Sequence, residues 1–456
     1  VTAPPPVHAP GPTAHAARPV PFPLVDEVAR HCAQEAEPET VHVEVHLPGP
    51  VDDARLRAAF GQALARHPRA LLRQAPVRWW HRHYMWQPAA APEGDPVSFP
   101  EPGPEALRRA RERALAQCPP LDAAPPVRLE VIPQEARGTV LLLTVPHTAL
   151  DAPSCLRLLA TTAELYGGAA NSPAPPPVRA PEAAVRGTRR GTAAPRGGWR
   201  RPARVAADRG RTAPGNGMLL TELPVPDRPP RAQGARPPHT VNDQLLVAAC
   251  LAVTRWNRLH GARAAPVVLT MPVDDRPRGT GMPLGNGTRL ATVAFGPADL
   301  RDTRLPGGSW PPDPVVVARL LHRTAARTGA LKAASGPQLG RAGALLTVPV
   351  LPVGVRAALT RGARAVAAPW TSTALLSNIG RLPYPFDFGT GSGRATRVWF
   401  SAPARMPRGL SLSTLSAGGR IQLALRWSRA LLDDAAGAAL CTLFEEALAA
   451  TSWRGA

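Results

Sequence analysis

The sequence predicts an α/β (α+β) protein built in two parts. Three observations point there. Strand-like and helix-like stretches interleave along the chain, the order of a mixed layered fold rather than of an all-α or all-β one. The helical stretches carry start signals and an apolar face. An Arg/Pro/Gly-rich stretch near the middle of the 456 residues divides them where apolar periodicity is lost.

The elements follow in order. Residues 41–47 (VHVEVHL) alternate apolar and polar, as a half-buried strand does. Residues 52–67 place Leu56, Phe60 and Leu64 at helical spacing. Residues 78–86 (RWWHRHYMW) read as a strand, 127–132 (VRLEVI) and 139–145 (TVLLLTV) as two more, and 154–166 as a helix with Leu158, Leu159 and Leu165 on one face. In the second part, 240–258 opens on Thr240, Asn242 and Asp243 and continues through Leu245, Leu246, Ala249, Val253 and Trp256 as a helix. Residues 267–273 form a buried strand pattern, 314–329 a helix, 375–378, 397–401, 411–415 and 421–427 strands, and 433–450 a closing helix. The expected division is a disordered Pro/Ala-rich tail over 1–20, a first part over 21–168, a linker over 169–217 with ten Arg against Glu182 and Asp208, and a second part over 218–456.

Composition narrows the function classes. Hydrophobic residues at 44% suffice for sizeable cores and exclude a wholly disordered chain. No run approaches the roughly 18–20 apolar residues of a membrane span, and no basic-then-apolar leader opens the chain. Five dispersed cysteines without a C-x-x-C pair exclude a disulfide framework and a structural zinc site, so a cytoplasmic location is expected. The net charge is +21, and Lys332 is the single lysine. That charge would suit a nucleic acid, but no zinc-finger spacing, RNP-like motif or basic zipper accompanies it. It reads as a solvated arginine surface, compatible with an acidic partner such as a carrier protein or a nucleotide-containing cosubstrate.

The segment VLLLTVPHTALDAPSCLRLL carries the candidate chemistry. A buried strand ends at Pro146, a short loop presents His147 and Asp151, and a helix opens near Ser154. A histidine so placed can serve as a general base. The spacing H-x-x-x-D occurs a second time, at His239 and Asp243, where Thr240, Asn242 and Asp243 are cap-type residues, so that copy reads as structural. His81 and His83 lack a third metal ligand, and Cys155 reads as a core residue.

The flanks now show a resemblance. VDDARLRAAFGQALARHPRALLR, CPPLDAAPPVRLEVI, PHTALDAPS, ELYGG, TVNDQLLVAACLAVTRW, PVDDRP, LGNG and SNIGRLP stand in this order over roughly residues 20–450. The order resembles the condensation-domain superfamily, which includes nonribosomal peptide synthetase condensation domains, polyketide-associated acyltransferases and chloramphenicol acetyltransferase-like enzymes. The resemblance implies two lobes, each a mixed sheet with flanking helices, and an active-site tunnel between them. It implies a freestanding acyltransferase of bacterial specialised metabolism without a resident cofactor. An acyl thioester on a carrier protein or coenzyme A would be attacked by an amine or alcohol, giving an amide or ester. His147 falls on the second histidine of the family motif H-H-x-x-x-D-G, the catalytic base. Asp151 falls on its aspartate, with Arg276 of PVDDRP as the implied partner. Pro146 replaces the first histidine and Ala152 the glycine. Ser377 and Asn378 of SNIG are candidates for the oxyanion or substrate. Intramolecular cyclisation on the same fold, and a non-catalytic module that recruits a carrier or partner, are the alternatives. A retained motif histidine speaks against the second.

Overall fold

The computed structural model describes residues 18–134, 138–173, 201–208, 210, 212–230, 237–274, 276, 281–301, 310–334 and 349–453. The strands are β1 (Val20–Pro21), β2 (Thr40–Leu47), β3 (Leu72–Gln74), β4 (Met85–Pro88), β5 (Val97–Ser98), β6 (Arg128–Pro133), β7 (Thr139–Pro146), β8 (Asn216–Pro224), β9 (Val267–Asp274), β10 (Thr288–Phe295), β11 (Ala374–Arg381), β12 (Arg397–Ser401), β13 (Leu410–Ala417) and β14 (Arg420–Ser428). The helices that matter here are α1 (Leu24–Cys32), α2 (Asp53–Arg66), α3 (Ala106–Ala116), α4 (Ala152–Gly167), α5 (Val241–Leu259), α6 (Pro314–Ala333), α7 (Val353–Ala367) and α8 (Asp434–Ala450).

The first lobe is organised by a sheet in the order β12-β2-β7-β6-β5. Strand β7 is an unbroken apolar run because both its faces are covered. Leu141, Leu143 and Val145 enter the main core with Leu56, Phe60 and Leu64 of α2 and Leu158 and Leu159 of α4. Val140 and Leu142 meet Ala106, Ala110 and Ala114 of α3 on the opposite face. A strand buried on two sides loses its period-2 signature. A small sheet, β1-β4-β3, flanks this lobe, with Phe22 stacked on Trp86 at 4.1 Å between ring centroids.

The second lobe is a six-stranded sheet, β10-β9-β11-β13-β14-β8. Its apolar face, with Ile421, Leu423 and Leu425 of β14, packs on Leu246 and Val253 of α5 and on Leu440, Phe444 and Leu448 of α8. The alternate residues of β14, Gln422, Arg426 and Ser428, are buried on the other face. Arg426 reaches out of its own sheet and donates to the carbonyls of Thr40 (2.9 Å) and Pro38 (3.0 Å) in the first lobe. β12 belongs by sequence to the second half but pairs antiparallel with β2, so it completes the first sheet.

Two sequence expectations are revised. Residues 78–84 are not a strand; pairing begins only at Met85, and Trp79, Trp80, His81 and His83 are exposed on a turn held by Val353 N–H to His81 O and Gly354 N–H to Trp79 O. Aromatic content mimicked strand propensity there without burial behind it. The end of the expected 169–217 linker is packed structure. Ala203 and Val205 are buried in the second core, Asn257 holds the backbone of Arg204 and Ala206, and β8 already starts at Asn216. Residues 174–200 of that linker, and 1–17 of the expected tail, lie outside the described residues. Helices α1, α3 and α7 and strands β1, β3, β5, β8 and β10 were not anticipated from the pattern.

Candidate active site

His147 follows the last residue of β7, and among the described residues its hydrogen bonds are made by its backbone. Its N–H donates to Glu39 O at 2.7 Å, from the chain just before β2. Its carbonyl, with that of Thr148, accepts from Asn286 Nδ2 at 3.0 Å, from the second lobe. The loop is therefore clamped from both lobes. The ring is half-buried and makes no hydrogen bond among the described residues; Nδ1 is its enclosed nitrogen. Buried polar atoms without a partner are uncommon and mark strain or function.

Asp151 is the opposite case. It caps α4, accepting at Oδ1 from Ser154 N–H (3.1 Å) and lying 2.7 Å from Ser154 Oγ. At Oδ2 it accepts from Arg276 Nη2 (2.7 Å) and Gly287 N–H (3.0 Å). Both oxygens are committed to hydrogen bonds. Arg276 also donates Nε to Asp274 Oδ1 at 2.9 Å and Nη1 to Ser154 Oγ and Gly285 O. Burial works against its charge, but the hydrogen bonds and charges of Asp274 and Asp151 outweigh burial and hold its pKa above the ordinary value.

The LGNG segment supplies the fit. Gly285 has φ +126°, in the region that favours glycine. A Cβ on Gly287 would lie 2.2 Å from Arg276 Nε, so this position leaves no room for a side chain. Asn286 between them also donates to Asp26 Oδ1 at 2.8 Å. Asp26, on α1, accepts as well from Trp86 Nε1 (2.9 Å) and from Arg69. Burial pushes its carboxyl above the usual range, opposed by Arg69, Asn286 and Trp86. Asp26, Arg69, Ser154, Asp274 and Asn286 thus support the loop, and sequence reasoning missed them. They bear no periodic signal; Arg69, Ser154, Asp274 and Asn286 lay within quoted segments without being assigned this role, and Asp26 lay outside all of them.

Ser377 and Asn378 lie on β11. Asn378 Oδ1 accepts from Gly380 N–H at 2.9 Å across the bulge where the β11–β13 register shifts, and its Nδ2 lies 3.3 Å from Asn242 Oδ1. Ser377 is half-buried, and its hydroxyl makes no hydrogen bond among the described residues. No hydrogen bond joins either residue to His147 among the described residues. Cys155 is buried in the first core. No described helix is long and apolar enough to cross a membrane. A largely apolar cavity of about 230 Å³ beside α5 belongs to the second lobe and includes none of these side chains.

This geometry can be set beside known proteins. No family model matches the chain. It is 28% identical over 409 residues, 85% of this chain and 89% of the relative, to the uncharacterized protein Rv2305 of Mycobacterium tuberculosis. Among solved structures, the first condensation domain of the CDA synthetase matches with a TM-score of 0.61 at 15% identity, over 95% of this chain and 96% of that one. Trichothecene 15-O-acetyltransferase from Fusarium sporotrichioides matches with 0.61 at 12% identity, over 94% of each chain. The starter condensation domain of rhizomide synthetase, as a mutant in complex with C8-CoA, matches with 0.58 at 16% identity, over 93% of this chain and 92% of that one. The chain thus has the two-lobed fold of condensation domains and chloramphenicol acetyltransferase-like enzymes. The fold that the order of sequence segments implied is the fold observed.

Proposed function

We propose that the protein is an acyltransferase that moves an acyl group from a thioester to an amine or alcohol, with His147 as general base. One observation carries the reading: the loop of His147 is clamped through its backbone by both lobes, while its ring has no protein partner among the described residues. Nε2 would take the proton of the acceptor N–H or O–H as its lone pair attacks the thioester carbonyl carbon. The tetrahedral intermediate collapses, the C–S bond breaks, and the imidazolium returns the proton to the departing thiolate. General-base assistance is worth about 10²–10⁴-fold, and alignment of the two substrates contributes more. Asp151 and Arg276 hold the loop rather than touch substrate. Ser377, a hydroxyl without a hydrogen-bond partner among the described residues, is the candidate donor to the oxyanion. The donor is a thioester on a phosphopantetheine carrier or coenzyme A. The likeness to a domain solved with C8-CoA and to an O-acetyltransferase supports this chemistry.

The test is mass spectrometry of products from wild type and His147→Ala, given a panel of acyl thioesters and of amine and alcohol acceptors. Wild type should yield an acylated acceptor with release of free thiol. Full turnover by the alanine variant would remove His147 from the mechanism.

A further inference from the structure

Several enclosed guanidiniums among the described residues face a carboxylate. Arg276 faces Asp151 and Asp274, Arg69 faces Asp26, and Arg356 faces Glu27. Arg426 forms no ion pair among the described residues, but four neutral oxygens take its hydrogen bonds: Asn216 Oδ1 and Thr40 Oγ1 from side chains, and the carbonyls of Pro38 and Thr40. Arg408, in the loop between β12 and β13, is different. Its Nε donates to Ser372 Oγ at 2.9 Å, and its Nη2 lies 3.5 Å from Thr270 Oγ1. It forms no ion pair among the described residues, and its Nη1 has no protein partner there.

Other cations gather around the same loop. Arg204 Nη1 donates to Pro407 O at 2.9 Å and Arg364 Nη2 to Met406 O at 2.9 Å. Neither forms an ion pair among the described residues, and each keeps guanidinium nitrogens without a protein partner. Arg405 completes the group, paired with Glu39. Burial, then the charges of Arg405, Arg364 and Arg204, push the Arg408 guanidinium down to about 10. It therefore stays charged at neutral pH, in a place where three like charges oppose it. A largely enclosed charge without a counter-charge is unfavourable, and a fork of arginine N–H groups matches an oxyanion.

We infer that Arg408, Arg204 and Arg364 form a binding subsite for the oxyanion of a ligand, a carboxylate or a phosphate. The subsite is tied to the loop of His147. Arg405 pairs with Glu39, whose carbonyl accepts the His147 N–H at 2.7 Å. Thr270 lies four residues before Asp274 on β9, which is about 13 Å at strand rise. β9 therefore links the Arg408 contact at Thr270 to the Arg276 contact at Asp274. The inference does not depend on acyl transfer, since anion binding is read without turnover.

The experiment uses the full chain and two probes, inorganic phosphate and acetate, against chloride at matched ionic strength. Melting temperature and calorimetric titration are read for wild type, Arg408→Gln and Arg364→Gln. One probe should raise the wild-type melting temperature above the chloride control. A response to phosphate alone identifies a phosphate ligand, and one to acetate alone a carboxylate. Arg408→Gln should bind the effective anion at least about tenfold more weakly, the loss of one charge-assisted hydrogen bond. Without anion it should melt no lower than wild type, because an uncompensated charge has been removed. Arg364→Gln, on a half-exposed side chain, keeps the test decisive if Arg408→Gln does not fold, and should weaken binding in the same direction. No response beyond chloride to either probe, or an unchanged response in the variants that fold, overturns the subsite.

Discussion

The spacing His-x-x-x-Asp occurs twice in this chain, and the two copies use it differently. Both aspartates serve a helix start. Asp151 is the N-cap of α4, and Asp243 completes the capping box of Thr240 on α5. Their remaining oxygens separate them. Asp243 Oδ1 accepts from Thr328 Oγ1 at 2.6 Å, within its own lobe. Asp151 Oδ2 accepts from Arg276 and Gly287, from the opposite lobe. The histidines differ likewise. His239 is buried just ahead of its capping box, whereas His147 stays half-buried on a loop clamped from two lobes. A four-residue interval therefore specifies local capping, and a site arises only where the second lobe reaches in.

That contrast can be broken by substitution. His147→Ala should lower turnover by about 10²–10⁴-fold with its melting temperature kept, and His239→Gln should leave turnover intact. Equal losses in both would erase the distinction. Arg276→Ala leaves Asp151 buried without its cation and should cost about 3–5 kcal/mol in chemical denaturation, together with activity. Thr328→Val, the matching change at Asp243, should cost about 1–3 kcal/mol and no activity. Unfolding curves in urea for the two variants measure the difference directly.

Legibility in the sequence followed the range of the interaction. Helix α5 was readable because its cap and its apolar positions lie within one window. The run 139–145 was readable as a strand because both its faces are apolar-lined. Strand β12 was readable as a strand, but its partner β2 lies about 350 residues earlier, and alternation carries no partner's name. The loop of His147 was visible as a strand-to-helix junction. Its supports were not, because Asp26 on α1 and Asn286 before β10 meet only after the lobes assemble. Ala203 and Val205 were hidden by the Arg and Pro around them, too few apolar residues to set a period.

Smaller effects sharpen the comparison further. Gly287→Ala places a Cβ against the Arg276 guanidinium, which its hydrogen bonds hold in place. The overpacking should cost about 1–3 kcal/mol. Combined with Arg276→Ala the two losses should fall short of their sum, because the clash disappears with the guanidinium. Acidification probes the structural copy by a different readout. Burial lowers the His239 pKa below its ordinary value of 6.5, although Asp243 opposes the shift. The unfolded chain then binds the proton more readily than the folded one. Stability held above that ordinary value is lost as pH falls through the window beneath it, by up to about 1.4 kcal/mol per pH unit for each such group. His31 and His67, pushed down to about 4 by burial and neighbouring arginines, add slope of the same sign. Melting temperature followed from about pH 7.5 to about pH 5 should fall less steeply in His239→Gln than in wild type. An identical slope in both would mean that the buried imidazole of the structural copy gains its proton as easily in the folded chain as in the unfolded one.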